Sequence, residues 1–210
     1  MGKSKILPVP VIQLFAKPPV AGRVKTRLIP DLGQSLATDI YRYCLDYALR
    51  LVRETTIDYQ IWLSEDSHDS LFAGESYYLQ QGADLGSRML SAIQSHLQRE
   101  TTEASAVILI GSDCLDLTHA HFQQAIDSLD SHDMVLLPTF DGGYALIGCR
   151  RIDAKLFADI DWGQNKVLQQ TLENAHSLNY QVSVLETVRD IDTLQDVNHY
   201  AELRSLISSS

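Results

Sequence analysis

Long apolar runs and cysteines are both scarce in this chain of 210 residues. No run approaches the ~18 apolar residues that a membrane-spanning helix needs, and the N-terminus lacks the apolar segment of a signal peptide. The three cysteines, Cys44, Cys114 and Cys149, are widely spaced and odd in number, so they suit neither a zinc cluster nor a disulfide framework. We therefore expect a cytoplasmic protein without a membrane span.

Acidic residues are missing from the first thirty positions, which hold six of the 17 Lys and Arg residues. The remainder of the chain carries all 27 acidic residues, and the formal net charge is −10. This balance argues against polymeric nucleic acid as a partner. A monomeric nucleotide is still compatible with it, because one local basic cluster is enough to hold a phosphate group.

The basic residues gather directly after the first predicted strand, in the stretch F-A-K-P-P-V-A-G-R-V-K-T-R-L over residues 15–28. Pro18 and Pro19 end that strand because neither can donate a hydrogen bond to a ladder, and Gly22 lacks the constraint of a Cβ. Four fixed charges follow within eleven residues: Lys17, Arg23, Lys25 and Arg27. Loops at the carboxyl ends of strands bind ligands in open α/β sheets. The cluster therefore predicts a phosphate site, whereas Lys3 and Lys5 are read as a solvated basic N-terminus.

Strand and helix patterns alternate along the rest of the chain. Apolar residues with a period of 3.6 predict a helix over residues 33–53, and the continuous apolar run at 106–110 predicts a buried parallel strand. Further strands are expected at 57–63, 77–81, 133–138, 144–149 and 182–185, with helices at 84–98, from about 118, from about 167 and up to about 207. The alternation predicts a three-layer α/β/α fold with a mostly parallel mixed sheet. The expected organisation is a single domain over 1–210 with its core at about 9–207.

Asp113 follows the most apolar of these strands, in the stretch G-S-D-C-L-D-L over residues 111–117. A carboxylate at that edge of the sheet suits a hard divalent cation, Mg²⁺ or Mn²⁺, which would neutralise the charge of a bound phosphate group. The alternative is that Asp113 caps the helix that begins near Thr118. A second aspartate two residues after Asp113, which could complete a D-x-D pair of metal ligands, is absent, since Asp116 comes three residues after Asp113.

Three later stretches each allow a structural interpretation and a functional one. Residues 80–90, Q-Q-G-A-D-L-G-S-R-M-L, read as a helix capped by Asp84, with Arg88 either in solvent or at a ligand. Residues 140–149, F-D-G-G-Y-A-L-I-G-C, indicate a hairpin turn or a close approach of backbone to a ligand. Residues 189–197, R-D-I-D-T-L-Q-D-V, contain a capping arrangement of Thr193 with Asp196. Trp162 is interpreted as a core residue.

Taken in order, these motifs resemble a bacterial family generally named as glycosyltransferases, formerly a domain of unknown function. The resemblance implies the nucleotide-diphospho-sugar transferase (GT-A-like) fold and a relation to the molybdenum-cofactor and phospholactate nucleotidyltransferases. It covers about residues 16–197 in five motifs. The chain departs from the family pattern in two places: Leu115 occupies the proline position of G-x-D-x-P-x-L, and Gln164 stands where a hydroxyl residue is typical.

The resemblance also assigns roles. It implies that the first loop wraps the phosphates of a nucleotide, through Phe15, Ala16, Lys17, Gly22, Arg23, Lys25, Thr26 and Arg27, with Lys25 and Arg27 as the leading candidates. Gln81 and Arg88 are implied as base or phosphate contacts, and Gly142, Gly143 and Tyr144 as acceptor or sugar contacts. Asp113 and Asp192 are implied as the metal ligands, with Asp190 and Asp141 as further candidates. Asp113 and Asp141 are the candidate catalytic residues.

The predicted function is transfer of a sugar from a nucleotide diphosphate sugar to a small-molecule acceptor, with Mg²⁺ or Mn²⁺. One alternative is nucleotidyl transfer, in which pyrophosphate leaves a nucleotide triphosphate. Another is a non-catalytic nucleotide-binding protein, which the departures at Leu115 and Gln164 favour. A homodimer is compatible with the sequence.

Overall fold

A seven-stranded sheet forms the centre of the protein. The computed structural model describes residues 9–98 and 105–208, so Lys3 and Lys5 lie outside the described residues. The strands are β1 (Val9–Ala16), β2 (Asp58–Leu63), β3 (Tyr77–Leu79), β4 (Ser105–Ile110), β5 (Met134–Pro138), β6 (Tyr144–Cys149) and β7 (Val182–Val184). Their order in the sheet is β3-β2-β1-β4-β6-β5-β7, and β6 runs antiparallel to both of its neighbours while the other pairings are parallel. The expected mostly parallel mixed sheet is confirmed.

Helices cover both faces of this sheet, which confirms the three-layer α/β/α class. They are α1 (Ile29–Arg53), α2 (Leu85–Leu97), α3 (His119–Leu129), α4 (Val167–Ser177), α5 (Leu194–His199) and α6 (Ala201–Ser208), and short 3-10 turns occur at Thr26–Leu28, Ser70–Phe72 and Ala154–Phe157. Helices α1 and α3 pack on one face, and α2 and α4 on the other. Helices α5 and α6 pack on the outer side of α1.

The pattern of β1 explains why both faces are covered. Ile12 and Leu14 point to the face of α1 and α3, whereas Val11 and Phe15 point to the face of α2 and α4. All six residues of β4 are buried, as expected for a central strand with helices on both sides. Within the residues that the structure describes, no helix is both long and apolar enough to span a membrane.

Helix caps decide two of the alternatives that the sequence left open. Thr118, not Asp113, caps α3, in a capping box with His121. Thr193 caps α5 in a capping box with Asp196. Because neither cap uses the side chain of Asp113 or Asp192, both of these carboxylates are available for another role.

Candidate functional site

The predicted site residues meet at the carboxyl end of the parallel strands, where the loops after β1 and β4 lie beside the β5–β6 hairpin. The segment before α5 completes this edge. Val188 bridges Thr139 in parallel fashion, and Ile191 N donates a hydrogen bond of 3.0 Å to the carbonyl oxygen of Asp113. These backbone contacts bring Asp113, Asp141 and residues 190–192 to one place although they lie far apart in sequence.

Lys25 lies at the centre of this edge, and its side chain is only 5% exposed. Its Nζ donates to Asp113 Oδ2 at 2.7 Å and to Asp192 Oδ1 at 3.0 Å. Burial alone would lower the pKa of Lys25, but the two carboxylates outweigh it and raise the pKa above the usual range. The Lys25 backbone is left-handed, with φ at 44°, a conformation that stores strain in a residue with a side chain.

Arg27 continues the same network towards solvent. One guanidinium nitrogen donates to Asp192 Oδ2 at 2.6 Å, and the other donates to the carbonyl oxygen of Gly163 at 3.0 Å. The Arg27 side chain is 56% exposed. The two cations that the sequence singled out for phosphates are therefore paired with the two carboxylates that it singled out for a metal.

Three carboxylates crowd together beside this ion-pair network. Asp141, Asp190 and Asp192 each place one oxygen within 4.8 Å of the others. Burial, followed by repulsion from Asp141, Asp113 and Asp192, raises the pKa of Asp190 to about 7. Oxygen donors at this spacing fit a hard divalent cation, which would remove the repulsion. Asp113 lies outside this group of three carboxylates, and Lys25 Nζ lies between Asp113 and Asp192.

A cavity of about 450 Å³ opens over the network. Most of the predicted loop residues line it: Phe15, Ala16, Lys17, Lys25, Thr26 and Arg27. Arg88 of α2, Asp113 and Asp192 line it as well. Four cationic side chains and two carboxylates therefore share one cavity.

Three of the residues predicted to contact the nucleotide do not line this cavity. Gly22 forms the turn with φ at 80°, a backbone conformation that glycine adopts readily because it has no Cβ. Arg23 pairs instead with Glu65 at 3.0 Å. Gln81 is exposed, and its neighbour Gln80 lines the cavity in its place. Gln80 is held there by a hydrogen bond of 2.9 Å from its Nε2 to the carbonyl oxygen of Trp62.

A smaller cavity of about 190 Å³ adjoins the first, and Phe15, Leu85 and Gly111 line both. Gly143 and Tyr144 line the smaller cavity, as does Asp141. Gly142 does not line it but packs against the segment before α4, where a Cβ at Gly142 would lie 2.1 Å from the carbonyl oxygen of Asn165. The double glycine therefore lies in the turn between the antiparallel strands β5 and β6, which is the structural alternative, and its close contact is with another segment of the protein.

Trp162 is half-buried, so the core interpretation is only partly right. One side packs against α2, where a Cβ at Gly86 would lie 2.7 Å from the indole ring. The residue also lines the smaller cavity, together with Gln164. The sequence could not predict that Trp162 and Leu85 line a cavity, because the same apolar side chains occur in protein cores and in cavity walls.

Tyr41 and Ser112 are site residues that the sequence analysis did not identify. The Tyr41 hydroxyl accepts a hydrogen bond from Lys17 N at 2.9 Å and lies 3.1 Å from the Ser112 hydroxyl. Both residues line the larger cavity. Tyr41 lies on the buried face of α1, so its position in the helical pattern concealed a polar role.

Comparisons with solved structures find proteins that resemble this chain over most of its length. A candidate nucleotide-diphospho-sugar transferase from Desulfovibrio desulfuricans G20 is 30% identical, with a TM-score of 0.85, over 97% of this chain and 98% of that one. A 4-diphosphocytidyl-2C-methyl-D-erythritol synthase from Anaerococcus prevotii is 10% identical, with a TM-score of 0.57, over 94% and 99% of the two chains. A cytidylyltransferase from Leptospira borgpetersenii is 14% identical, with a TM-score of 0.55, over 96% and 94%. The last two share the fold.

The comparison with curated proteins gives no match. Residues 47–164 match a protein family described as "Uncharacterized protein conserved in bacteria (DUF2064)". This match covers more than half of the chain, and the similarity to the Desulfovibrio structure extends over nearly all of it. The protein therefore belongs to the bacterial DUF2064 family and has the nucleotide-diphospho-sugar transferase fold.

Proposed function

We propose that this protein is a metal-assisted glycosyltransferase that moves a sugar from a nucleotide diphosphate sugar to a small-molecule acceptor. One observation carries the proposal: Lys17, Lys25, Arg27 and Arg88 share a cavity of about 450 Å³ with Asp113 and Asp192. Cations bind a diphosphate, whereas carboxylates repel it unless a metal ion lies between them. A site that contains both suits a nucleotide diphosphate bound together with a divalent cation.

The Desulfovibrio relative supports the donor class, because it is named as a candidate transferase of nucleotide diphospho-sugars. In our proposal the larger cavity takes the nucleotide diphosphate. Arg27 and Arg88 can each offer two hydrogen bonds to phosphate oxygens. Lys17, Lys25 and Thr26 complete the contacts. The negative charge that grows on the departing diphosphate is stabilised by these fixed cations, which need no rearrangement of solvent.

The carboxylates provide the metal site. Asp190 and Asp192 would hold Mg²⁺ or Mn²⁺, with Asp113 as a further ligand once Lys25 turns towards the phosphates. The metal would supply Lewis-acid stabilisation of the diphosphate. Asp141 Oδ1 already accepts hydrogen bonds from Thr139 Oγ1 at 2.6 Å and Gly143 N at 2.9 Å. We assign to its Oδ2 the proton of the acceptor hydroxyl.

Nucleotidyl transfer is the second candidate, because the Anaerococcus and Leptospira proteins that share the fold are named for cytidylyl chemistry. The same cations would then hold the β- and γ-phosphates of a nucleotide triphosphate. The two reactions differ in their products, since glycosyl transfer releases a nucleoside diphosphate and nucleotidyl transfer releases pyrophosphate. A non-catalytic nucleotide-binding protein would release neither.

A thermal-shift screen tests the donor class, because a ligand that binds the native state raises its melting temperature. The screen pairs nucleotides and nucleotide diphosphate sugars with and without Mn²⁺. We expect the largest shift from one nucleotide diphosphate sugar with Mn²⁺, a reduced shift in Arg27→Ala, and loss of the Mn²⁺ contribution in Asp113→Asn and Asp192→Asn. Arg151→Ala is the matched control, since Arg151 pairs with Asp133 and lines neither cavity.

Product analysis then separates the reactions. Release of a nucleoside diphosphate from the selected donor, dependent on Asp141, supports glycosyl transfer. Release of pyrophosphate from a triphosphate selects the second candidate. A nucleotide shift that remains unchanged in Arg27→Ala, Asp113→Asn and Asp192→Asn would remove this cavity from the function altogether.

A further inference from the structure

We propose that the smaller cavity takes an apolar ring-bearing group about the size of a phenyl ring, so that the acceptor is an apolar alcohol or phenol rather than a second sugar. The inference rests on the proposed function only in one respect, namely that the ligand of the smaller cavity is the acceptor of the transfer reaction. The class of ligand rests on the cavity alone. The two parts can therefore fail separately.

Aromatic and aliphatic side chains form the walls of this cavity. Phe15, Tyr144 and Trp162 contribute rings, and Met89, Leu109 and Ile147 contribute aliphatic surface. The Tyr144 hydroxyl is buried beside Thr171, and this burial raises the pKa of Tyr144 well above the usual range. Because that hydroxyl stays protonated and lies among core residues, Tyr144 offers the cavity its ring.

Polar side chains are few among the residues that line the cavity. They are Asp141, Gln164 and the indole N–H of Trp162, besides the tyrosine just described. A sugar carries several hydroxyl groups, and each one buried without a partner costs about 1–3 kcal/mol. These few side chains can satisfy only some of the hydroxyl groups of a sugar. The walls therefore favour a ligand with an apolar body and a single hydroxyl directed towards Asp141.

The volume points to the same class. The cavity measures about 190 Å³, and an apolar cavity of about 150 Å³ is known to hold benzene in another protein. A phenyl or cyclohexyl group fits this space, so the volume is compatible with the class of ligand that the walls favour. The larger cavity, at about 450 Å³, is the one with room for a nucleotide.

Leu85 marks the passage between the two cavities. It lines both of them, and it is 45% exposed although it is a large apolar residue. Ligands in the two cavities would cover this side chain from both sides. A group in the smaller cavity would also lie next to the phosphates of the proposed donor, which is the position that an acceptor needs.

Tryptophan fluorescence provides a direct test, because the chain has two tryptophans and one of them lines the cavity. Trp62 is buried and stacks on Tyr78 at a centroid distance of 4.9 Å, so Trp62→Phe leaves Trp162 as the sole reporter. The probes are benzyl alcohol and cyclohexanol, compared with methyl glucoside and glycerol. We expect a saturable change in Trp162 emission with the first pair at millimolar concentration and none with the second pair.

Cavity-filling variants locate the response. Ala145→Leu and Val167→Phe each add volume to the lining, and both should weaken benzyl alcohol binding at least tenfold. Val184→Phe is the matched control, because Val184 is 50% exposed on the edge strand β7 and should leave binding unchanged. Each variant is first checked for a cooperative melt, and if one fails to fold the other decides.

The outcomes separate the two claims. Absence of a saturable response to both apolar probes, tighter binding of methyl glucoside, or a response that survives both filling variants overturns the inference. If nucleotides fail to bind while benzyl alcohol binds at Trp162, the proposed function is wrong and the apolar site stands. If nucleotides bind and benzyl alcohol does not, the proposed function stands and this inference is wrong.

Discussion

The Tyr200 hydroxyl donates a hydrogen bond of 2.7 Å to Asp116 Oδ1. The other carboxylate oxygen of Asp116 accepts from Arg189 N at 2.9 Å, and Arg189 in turn donates to Asp196 Oδ1 at 2.9 Å. Asp116 thus ties the loop after β4 to the segment that carries Asp190 and Asp192. We infer that Asp116 positions these two carboxylates, a role that the sequence analysis did not consider.

Removing the Tyr200 hydroxyl tests this network. We expect Tyr200→Phe to lower the free energy of unfolding by about 1.5–3 kcal/mol, the range for a hydrogen bond to a charged group, and to reduce the Mn²⁺-dependent thermal shift. Tyr59→Phe is the control. The Tyr59 hydroxyl donates a hydrogen bond of 3.3 Å to Glu75, and this pair lies away from the site, so the variant should leave the Mn²⁺ shift intact. An unchanged Mn²⁺ shift in Tyr200→Phe would show that the network does not position the carboxylates.

Lys25 and Arg27 should behave differently when each is replaced. Lys25→Met leaves Asp113 and Asp192 without their shared buried cation, and we expect a loss of about 1–3 kcal/mol without metal, below the range for fully buried pairs because the carboxylates are partly exposed. Mn²⁺ should restore part of this stability. Arg27→Ala should cost under about 1 kcal/mol, because its pair is exposed, yet weaken nucleotide diphosphate binding by about 1.5–3 kcal/mol.

Chemical denaturation with and without Mn²⁺ measures the stability of both variants, and calorimetric titration measures nucleotide affinity. The double variant Lys25→Met/Asp192→Asn is the check on the cause, because it removes one of the stranded charges and should be more stable than Lys25→Met alone. Equal stability of Lys25→Met and Arg27→Ala would contradict the burial of the lysine.

Gly142 and Gly163 have similar φ angles but different surroundings, so they form a matched pair for substitution by alanine. Gly142 has φ at 90° and Gly163 has φ at 81°. A Cβ at Gly142 would lie 2.1 Å from Asn165 O, whereas a Cβ at Gly163 meets no atom within 4 Å. We expect Gly163→Ala to cost about 1–2 kcal/mol for the left-handed backbone alone, and Gly142→Ala to cost clearly more. Thermal melts of the two variants that coincide would contradict the close packing of the hairpin on residues 161–166.

Asp133 provides a pH test remote from the site. Its carboxylate accepts hydrogen bonds from Arg151 Nε at 2.9 Å and from Gln181 N at 2.8 Å. These two hydrogen bonds, the one from Arg151 above all, hold the pKa of Asp133 below its ordinary value of 3.8 despite burial. The stabilisation is therefore present above pH 4 and is lost as the pH falls through the lowered pKa. Asp133→Asn should cost about 0.5–1.5 kcal/mol at pH 7, because the half-exposed Arg151 is screened by solvent.

Denaturation of wild type and Asp133→Asn at pH 7 and at pH 3 checks this prediction. The gap between the two proteins should narrow at the lower pH. A gap that is constant across the range would mean that the side chain acts by shape and not by charge.

Local pattern was enough to predict the strands, most of the helices and the sheet edge where the candidate site lies. The expected last helix is wrong as one element, because extended backbone at Tyr200 divides it into α5 and α6. Ala106 to Ile110 is apolar at every position, and the pattern of α1 repeats over five turns, so these elements need no knowledge of distant residues. The partners of Lys25 could not be predicted in this way, because Asp113 and Asp192 lie 88 and 167 residues away along the chain. A charge in a sequence shows its sign but not whether it is solvated or paired.

The departures from the family pattern have structural explanations of different kinds. Leu115, in the proline position, is half-buried and packs against the apolar cluster that α1 forms with α5 and α6, so it contributes to the core. Gln164 is exposed, and its N–H closes a turn on the carbonyl oxygen of Asp161 at 3.1 Å. Neither change removes a side chain from the ion-pair network.

The pairing of Lys25 with Asp192 has a consequence for how the protein folds. The lysine precedes α1, and its partner arrives just before α5, after every strand of the sheet. Because the pair joins residues 167 positions apart, it can form only once the segment after β7 has docked on the edge of the sheet. The buried ammonium therefore gains its second counter-charge from the last part of the chain, so the ion-pair network is complete only when the C-terminal segment is in place.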